Sequence, residues 1–164
     1  MPASDYVSQL RRQIGHDLVL LPGVAAAVFD HDGRLLLARR RAGTRWGFIG
    51  GGIEPFEEPL DAVRRELMQE TGADGHVLGV VGSYGGRRLA KTHVNGDRVS
   101  YVTTVYACRL NSGVQWLDQA EVSQLGWFTR ADISELARFE WIDDVVGDAF
   151  AWWAGHVALT PLSR

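Results

Sequence analysis

The 164-residue chain has one cysteine, two methionines and five prolines. A single cysteine cannot close an internal disulfide, so a disulfide-stapled secreted scaffold is excluded, and Cys108, set in the run VYACRL, reads as a small buried hydrophobe. Long apolar runs are also missing. The richest, LVLLPGVAAAVF, is interrupted by Pro22-Gly23, and the opening MPASDYVSQLRRQIGHD lacks the apolar stretch of an export signal. The expectation is a cytoplasmic protein without membrane contact. Basic charge is not in excess: 17 Lys and Arg against 20 Asp and Glu leave a net charge of -3, too little positive field for a stable nucleic-acid complex. An anionic ligand has to be met locally.

No repeat, low-complexity tract or linker divides the chain, and its length suits one domain over 1–164. Ser4 can cap a short N-terminal helix over 4–14 that packs on the rest, with Tyr6, Leu10 and Ile14 on one face and Gly15 as its stop. GVAAAVFD and RLLLARR read as a hairpin turning at His31-Asp32-Gly33. HVLGVVGSYG and DRVSYVTTVYACRL read as strands, with Asn95-Gly96 as a turn before the second and His93 in an exposed loop. LGWFT is a further strand, followed by a short helix near Asp132–Leu136. Trp141, Val145, Ala149 and Trp152 or Trp153 form a stripe on a closing helix, suited to core or dimer contact. Strands and helices mix without βαβ alternation, which predicts an α/β fold with a mixed sheet between helices.

The densest chemistry lies in GGGIEPFEEPLDAVRRELMQETGA, from Gly50 to Ala73. Pro59 suits a first helical turn and Gly72 the position just past the end, which predicts a helix from Pro59 to about Thr71. On it Glu66, Gln69 and Glu70 share one face, while Val63 and Leu67 share an adjacent apolar one. Two carboxylates at i and i+4 repel by a few tenths of a kcal/mol, and the C-terminal half of a helix disfavours negative charge. A bound cation removes both penalties. Hard divalent ions take oxygen ligands, and Gly50, Gly51 and Gly52 let the backbone approach and offer a carbonyl. Glu57 is placed to pair with Arg65. An E-x-x-x-E pair alone is commonly a solvated helix face; its surroundings here give it weight.

Gly51, five residues, Glu57, seven residues and then RELMQETGA from Arg65 to Ala73 resemble the Nudix box. The flanking WGFIGG, the preceding hairpin and the later EVSQLGWFTRADI are similar to the same family more weakly. The resemblance implies a Nudix-type α/β/α sandwich and Mg2+-dependent hydrolysis, with Mn2+ as a substitute ion, of a diphosphate linkage in a nucleoside diphosphate joined to a group X. Carried over, Glu66 and Glu70 correspond to the catalytic and metal-binding carboxylates, either of them the base. Gly50 corresponds to the metal-binding carbonyl, Glu57 and Arg65 to the loop-to-helix pair. A downstream loop carboxylate often assists, and Glu121, with Asp118 behind it, is the candidate metal ligand.

The sequence departs from the family pattern at Gln69, in place of a Glu, at Ile49, where many members have Pro, and at Phe56, where many have Gly. An amide at 69 can still ligate through its oxygen but adds no charge, so a second or third ion should bind more weakly.

For the substrate, Arg39 and Arg41 on one side of a strand end, Gly51, and the aromatics Trp46, Tyr84 and Tyr101 are the candidates. The expected partner is a small nucleotide, and the expected assembly a monomer or homodimer. Two other readings use the same fold: a nucleotide sensor without turnover, suggested by Gln69, and a prenyl diphosphate isomerase, for which Cys108 has no evident acid partner.

Overall fold

Strand β1 (Val19–Phe29) is the spine of the computed structural model, which describes residues 4–41, 43–114 and 122–157. Its second half is buried on both faces. That burial follows from two helices packing on opposite sides of one sheet, so the alternation of a strand sends successive side chains into two different cores. Val24, Ala26 and Val28 join Ala62, Val63 and Leu67 of helix α2 (Pro59–Thr71). Ala25, Ala27 and Phe29 join Ile142, Val145, Ala149 and Trp153 of the closing helix. The sheet is thus the middle layer of an α/β/α arrangement.

Around β1, strand β2 (Leu35–Arg40) returns antiparallel through the hairpin, with Val28 opposite Leu36. Strand β3 (Trp46–Gly47) adds to β2, and strand β4 (Ile49–Gly52) lies antiparallel to β1 from Gly23↔Gly52 to Ala26↔Ile49. Strand β5 (Gly75–Tyr84) and strand β6 (Ala90–Thr92) both pair antiparallel with strand β7 (Arg98–Leu110). β7 runs parallel to β1 from Val19↔Val99 to Val28↔Cys108. Strand β8 (Val122–Phe128) covers the other edge of β2. Helix α1 (Asp5–Ile14), capped by Ser4, helix α3 (Arg130–Glu135) and helix α4 (Trp141–Val157) complete the order.

Three features differ from the sequence reading. β1 starts at Val19, four residues before the expected run, because β7 pairs with it along that stretch and Pro22 is accommodated inside the strand. β6 was not legible: three exposed residues carry no alternation, and only the turn His93–Asp97 folds them back onto β7. The short β3 and β4 are set by neighbours as well, since their glycines have no strand propensity of their own.

Cys108 is fully buried, and burial pushes its thiol up to about 12, as expected of an inert packing residue. The Trp stripe is chiefly core: Phe29 stacks on Trp153 at 4.6 Å between ring centroids and meets Phe150 edge-on at 5.3 Å. Phe29→Ala is expected to destabilise the protein by about 3–5 kcal/mol, read as a lower urea midpoint at unchanged m.

Candidate active site

Helix α2 ends on Gly72, whose φ of 68° is left-handed and whose N–H donates to the Met68 carbonyl at 2.9 Å, as the sequence suggested. Its inward face carries Glu66 and Glu70 as well as the apolar anchors. The two carboxylates are 0% and 2% exposed, which is rare for charged groups and requires compensation. Arg65 compensates Glu66, with Nη1 donating to Glu66 Oε1 at 2.6 Å. The same guanidinium forks onto Glu57, from Nε to Oε1 at 2.7 Å and from Nη2 to Oε2 at 2.9 Å, and Nη2 also donates to the Gly52 carbonyl at 2.9 Å. Arg65, foremost among several causes, holds the Glu57 carboxyl below the usual carboxylate range. Loop, strand end and helix are therefore fixed by one side chain.

Glu70 is faced by Arg40. Nη1 of Arg40 lies 2.6 Å from Glu70 Oε1 and Nη2 donates to the Gly50 carbonyl at 2.9 Å. The Glu70 carboxyl thus lies between this guanidinium and the Gly50 N–H, both of which favour its ionised form. Burial pushes the Glu70 carboxyl up to about 7; the charge of Arg40 opposes this and that of Glu66 adds to it.

Gly50 is required by close approach. A Cβ there would lie 2.2 Å from the Val24 carbonyl oxygen, and φ is 152°. Glycine at this point lets β4 press against β1 and brings its carbonyl beside Glu70.

The donor set fits a hard divalent cation: two buried carboxylates one helical turn apart and a carbonyl beside them. Among the described residues no cluster of three or more His, Cys, Asp or Glu side chains comes together, so this set is lean in carboxylates. Glu121 and Asp118 lie outside the described residues.

The sequence profile of the NUDIX domain matches residues 19–150. The chain belongs to the Nudix family. A MutT-like protein of Streptomyces ambofaciens is 33% identical over 112 residues, 68% of this chain and 66% of its own. An RNA pyrophosphohydrolase of Halorhodospira halophila is 48% identical over 61 residues, 35% of this chain and 34% of its own. The chain thus spans from a third to just under two thirds of the length of these relatives. Among solved structures, a UDP-X diphosphatase superposes with a TM-score of 0.69 at 19% identity, covering 95% of this chain and 73% of the other. A NUDIX hydrolase from Nitrosomonas europaea gives 0.64 at 22%, covering 82% and 90%. At these identities the superpositions establish the Nudix fold.

Within that Nudix frame several sequence assignments change. Arg40, not Arg39 or Arg41, faces the carboxylates: it follows Leu36 and Ala38 on the α2 side, whereas Arg39 follows Leu37 on the α4 side. Arg39 lies over the Trp46 ring, 5.7 Å from its centroid, and Arg41 is exposed beyond the end of β2. Trp46 is 8% exposed and packs edge-on against Phe128, so it is a core residue without a free face for a base. Tyr84 anchors α4, its hydroxyl donating to Asp148 Oδ2 at 2.9 Å, on the face of the sheet opposite Glu66 and Glu70. Gln69 is exposed, and its oxygen accepts from Arg65 Nη1 at 3.3 Å, a partner one turn back on the helix. Gly51 sits in β4 next to Gly50, opposite Val24 of β1.

The raised proton affinity of Glu70 fixes a sign. Its folded value of about 7 exceeds the ordinary 4.5, so the folded state holds the proton across that window and loses stability as pH rises through it. In metal-free buffer, wild type is expected to lose on the order of 3 kcal/mol between pH 4.5 and 7.5 relative to Glu70→Gln. Urea midpoints of both proteins at each pH measure this. Parallel profiles would exclude a carboxyl at 70 whose proton affinity is raised by burial.

Proposed function

We propose that the protein hydrolyses a diphosphate linkage in a nucleoside diphosphate joined to another group, in a reaction that depends on Mg2+ or Mn2+. The observation that carries this reading is the pair of buried carboxylates on one face of α2 with the Gly50 carbonyl beside them, inside the Nudix box.

In this reading Glu66, Glu70 and the Gly50 carbonyl hold the ion, which when bound supplies charge neutralisation of the diphosphate oxygens. One carboxylate of the pair accepts the proton of the attacking water. Arg65 keeps Glu66 oriented and ties the Gly52–Glu57 loop to the helix, so the glycine backbone and the carboxylates keep one relative position. Arg40 carries fixed positive charge at the same place, its guanidinium held on Glu70 and the Gly50 carbonyl. The relatives' names bear on the choice of substrates: 5′-triphosphate RNA oligonucleotides and UDP conjugates belong in the first screen, with nucleoside triphosphates, dinucleoside polyphosphates and ADP-ribose.

Glu66→Gln and Glu70→Gln are each expected to lower Mg2+-dependent release of phosphate or nucleotide by about two orders of magnitude or more, with folding retained. Near-normal turnover in both variants would remove the assignment of these carboxylates. Nucleotide binding without turnover by wild type, over the whole panel with Mg2+ and Mn2+, would favour the sensor reading.

A further inference from the structure

Two guanidinium groups stand against the carboxylates of α2, and they are held differently. Arg65 meets Glu66, while its contacts with Glu57 and the Gly52 carbonyl anchor it outside the donor set assigned above to a divalent ion. Arg40 rests on that set itself. Its Nη1 lies 2.6 Å from Glu70 Oε1, and its Nη2 donates to the Gly50 carbonyl at 2.9 Å. One planar cation thus bridges an oxygen of α2 and an oxygen of β4, both of them ligands in the assigned set.

Exposure shows which of these groups can give way. The Glu70 side chain is 2% exposed on the inward face of α2, and Gly50 is fixed by its pairing with Ala25 of β1. Arg40 is the last residue of β2, and its side chain is 28% exposed. A long arginine stem can turn its charged head into water by rotation about its own bonds, whereas the two acceptors move only if a helix or a strand unpacks.

Guanidinium and divalent ion are therefore rivals for the same oxygens. An ion drawn onto both would bring a double positive charge against the single one of Arg40, at a separation where repulsion in a poorly hydrated site is strong. A residue that only braced the fold would keep the ligands in place, and its loss would weaken ion binding. A rival has the opposite sign, because the fraction of molecules in which it holds the ligands is subtracted from the apparent affinity.

We propose that Arg40 is a built-in competitor of the divalent ion: it holds Glu70 and the Gly50 carbonyl, and the ion binds by displacing its guanidinium towards solvent. The assignment of those two oxygens to the ion rests on the diphosphate-hydrolase reading above. The consequence is a concentration threshold for loading the site, set by a side chain of the protein itself.

The test is calorimetric titration of Mn2+ and of Mg2+ into the chelator-treated full chain without nucleotide, with thermal melts of each protein. Arg40→Met and Arg40→Gln are expected to bind the ion about tenfold or more tighter than wild type, and to gain more melting temperature from a given ion concentration. Arg41→Met removes the same charge from an exposed side chain and is expected to stay within about twofold of wild type. Equal or weaker ion binding by both Arg40 variants overturns the proposal, and so does an equal gain in Arg41→Met, which would reduce the effect to net charge. Side-chain NMR of wild type gives a reading that needs no variant to fold. The Nη hydrogens of Arg40, slowed while seated on two oxygens, should average as Mg2+ saturates the site; signals unchanged at saturation overturn the proposal. Tighter ion binding by the Arg40 variants in a protein that cleaves no diphosphate removes the hydrolase reading alone. Turnover with the opposite order of ion affinities removes the competitor alone.

Discussion

The architecture around the site depends on Arg65. Its guanidinium meets Glu57, Glu66 and the Gly52 carbonyl, so one planar group joins the loop before α2, the end of β4 and the buried face of the helix. A lysine could not do this, because a compact ammonium lacks the fork that addresses a carboxylate through two parallel bonds while reaching a third partner. The arrangement also makes the burial of Glu66 tolerable. A fully buried carboxylate is costly without a charged donor, and Arg65 supplies one.

Strand parity then decides which basic residue accompanies the other carboxylate. β1 and β2 each feed two cores, and the same alternation that puts Leu36 and Ala38 against α2 puts Arg40 there and sends Arg39 to Trp46. A bulge against β8 falls between Arg39 and Arg40, where Ser123 fills the extra position and exchanges hydrogen bonds with Arg39. Bulges re-aim side chains near sites. The cluster Arg39–Arg41 is therefore three residues with three separate surroundings, one beside an aromatic ring, one beside a carboxylate and one exposed.

What the sequence disclosed follows from how local each signal is. The helix Pro59–Thr71, its glycine stop, the Glu57–Arg65 pair and the burial of Cys108 depend on neighbours within one or two turns or on the character of one residue, and all are found. The aromatics could not be told apart for a different reason. Trp46, Tyr84 and Tyr101 look alike in sequence, and only the three-dimensional path shows that Trp46 is core, Tyr84 anchors α4 and Tyr101 lines a cavity. Arg40 could have been chosen over Arg39 by parity with Leu36, had the face of β2 that meets Val63 and Leu67 been known. β6 had no signal to find, since its pairing depends on a turn and on the edge of β7.

The charge balance of the site gives Gln69 its meaning. Once Glu70 has lost its proton, Glu57, Glu66 and Glu70 bring three negative charges and Arg40 and Arg65 two positive ones, so the cluster is then negative by one before any ligand arrives. The whole chain is negative as well. A diphosphate approaching such a cluster is repelled, and in a poorly hydrated site the repulsion is strong. Positive charge has to come from outside the polypeptide, which is the electrostatic argument for a divalent cation in the proposed chemistry. A glutamate at 69 would make the deficit two and call for more than one ion to reverse it. The amide keeps the oxygen that Arg65 uses and omits the charge, so a single divalent ion is enough to turn the cluster from net negative to net positive.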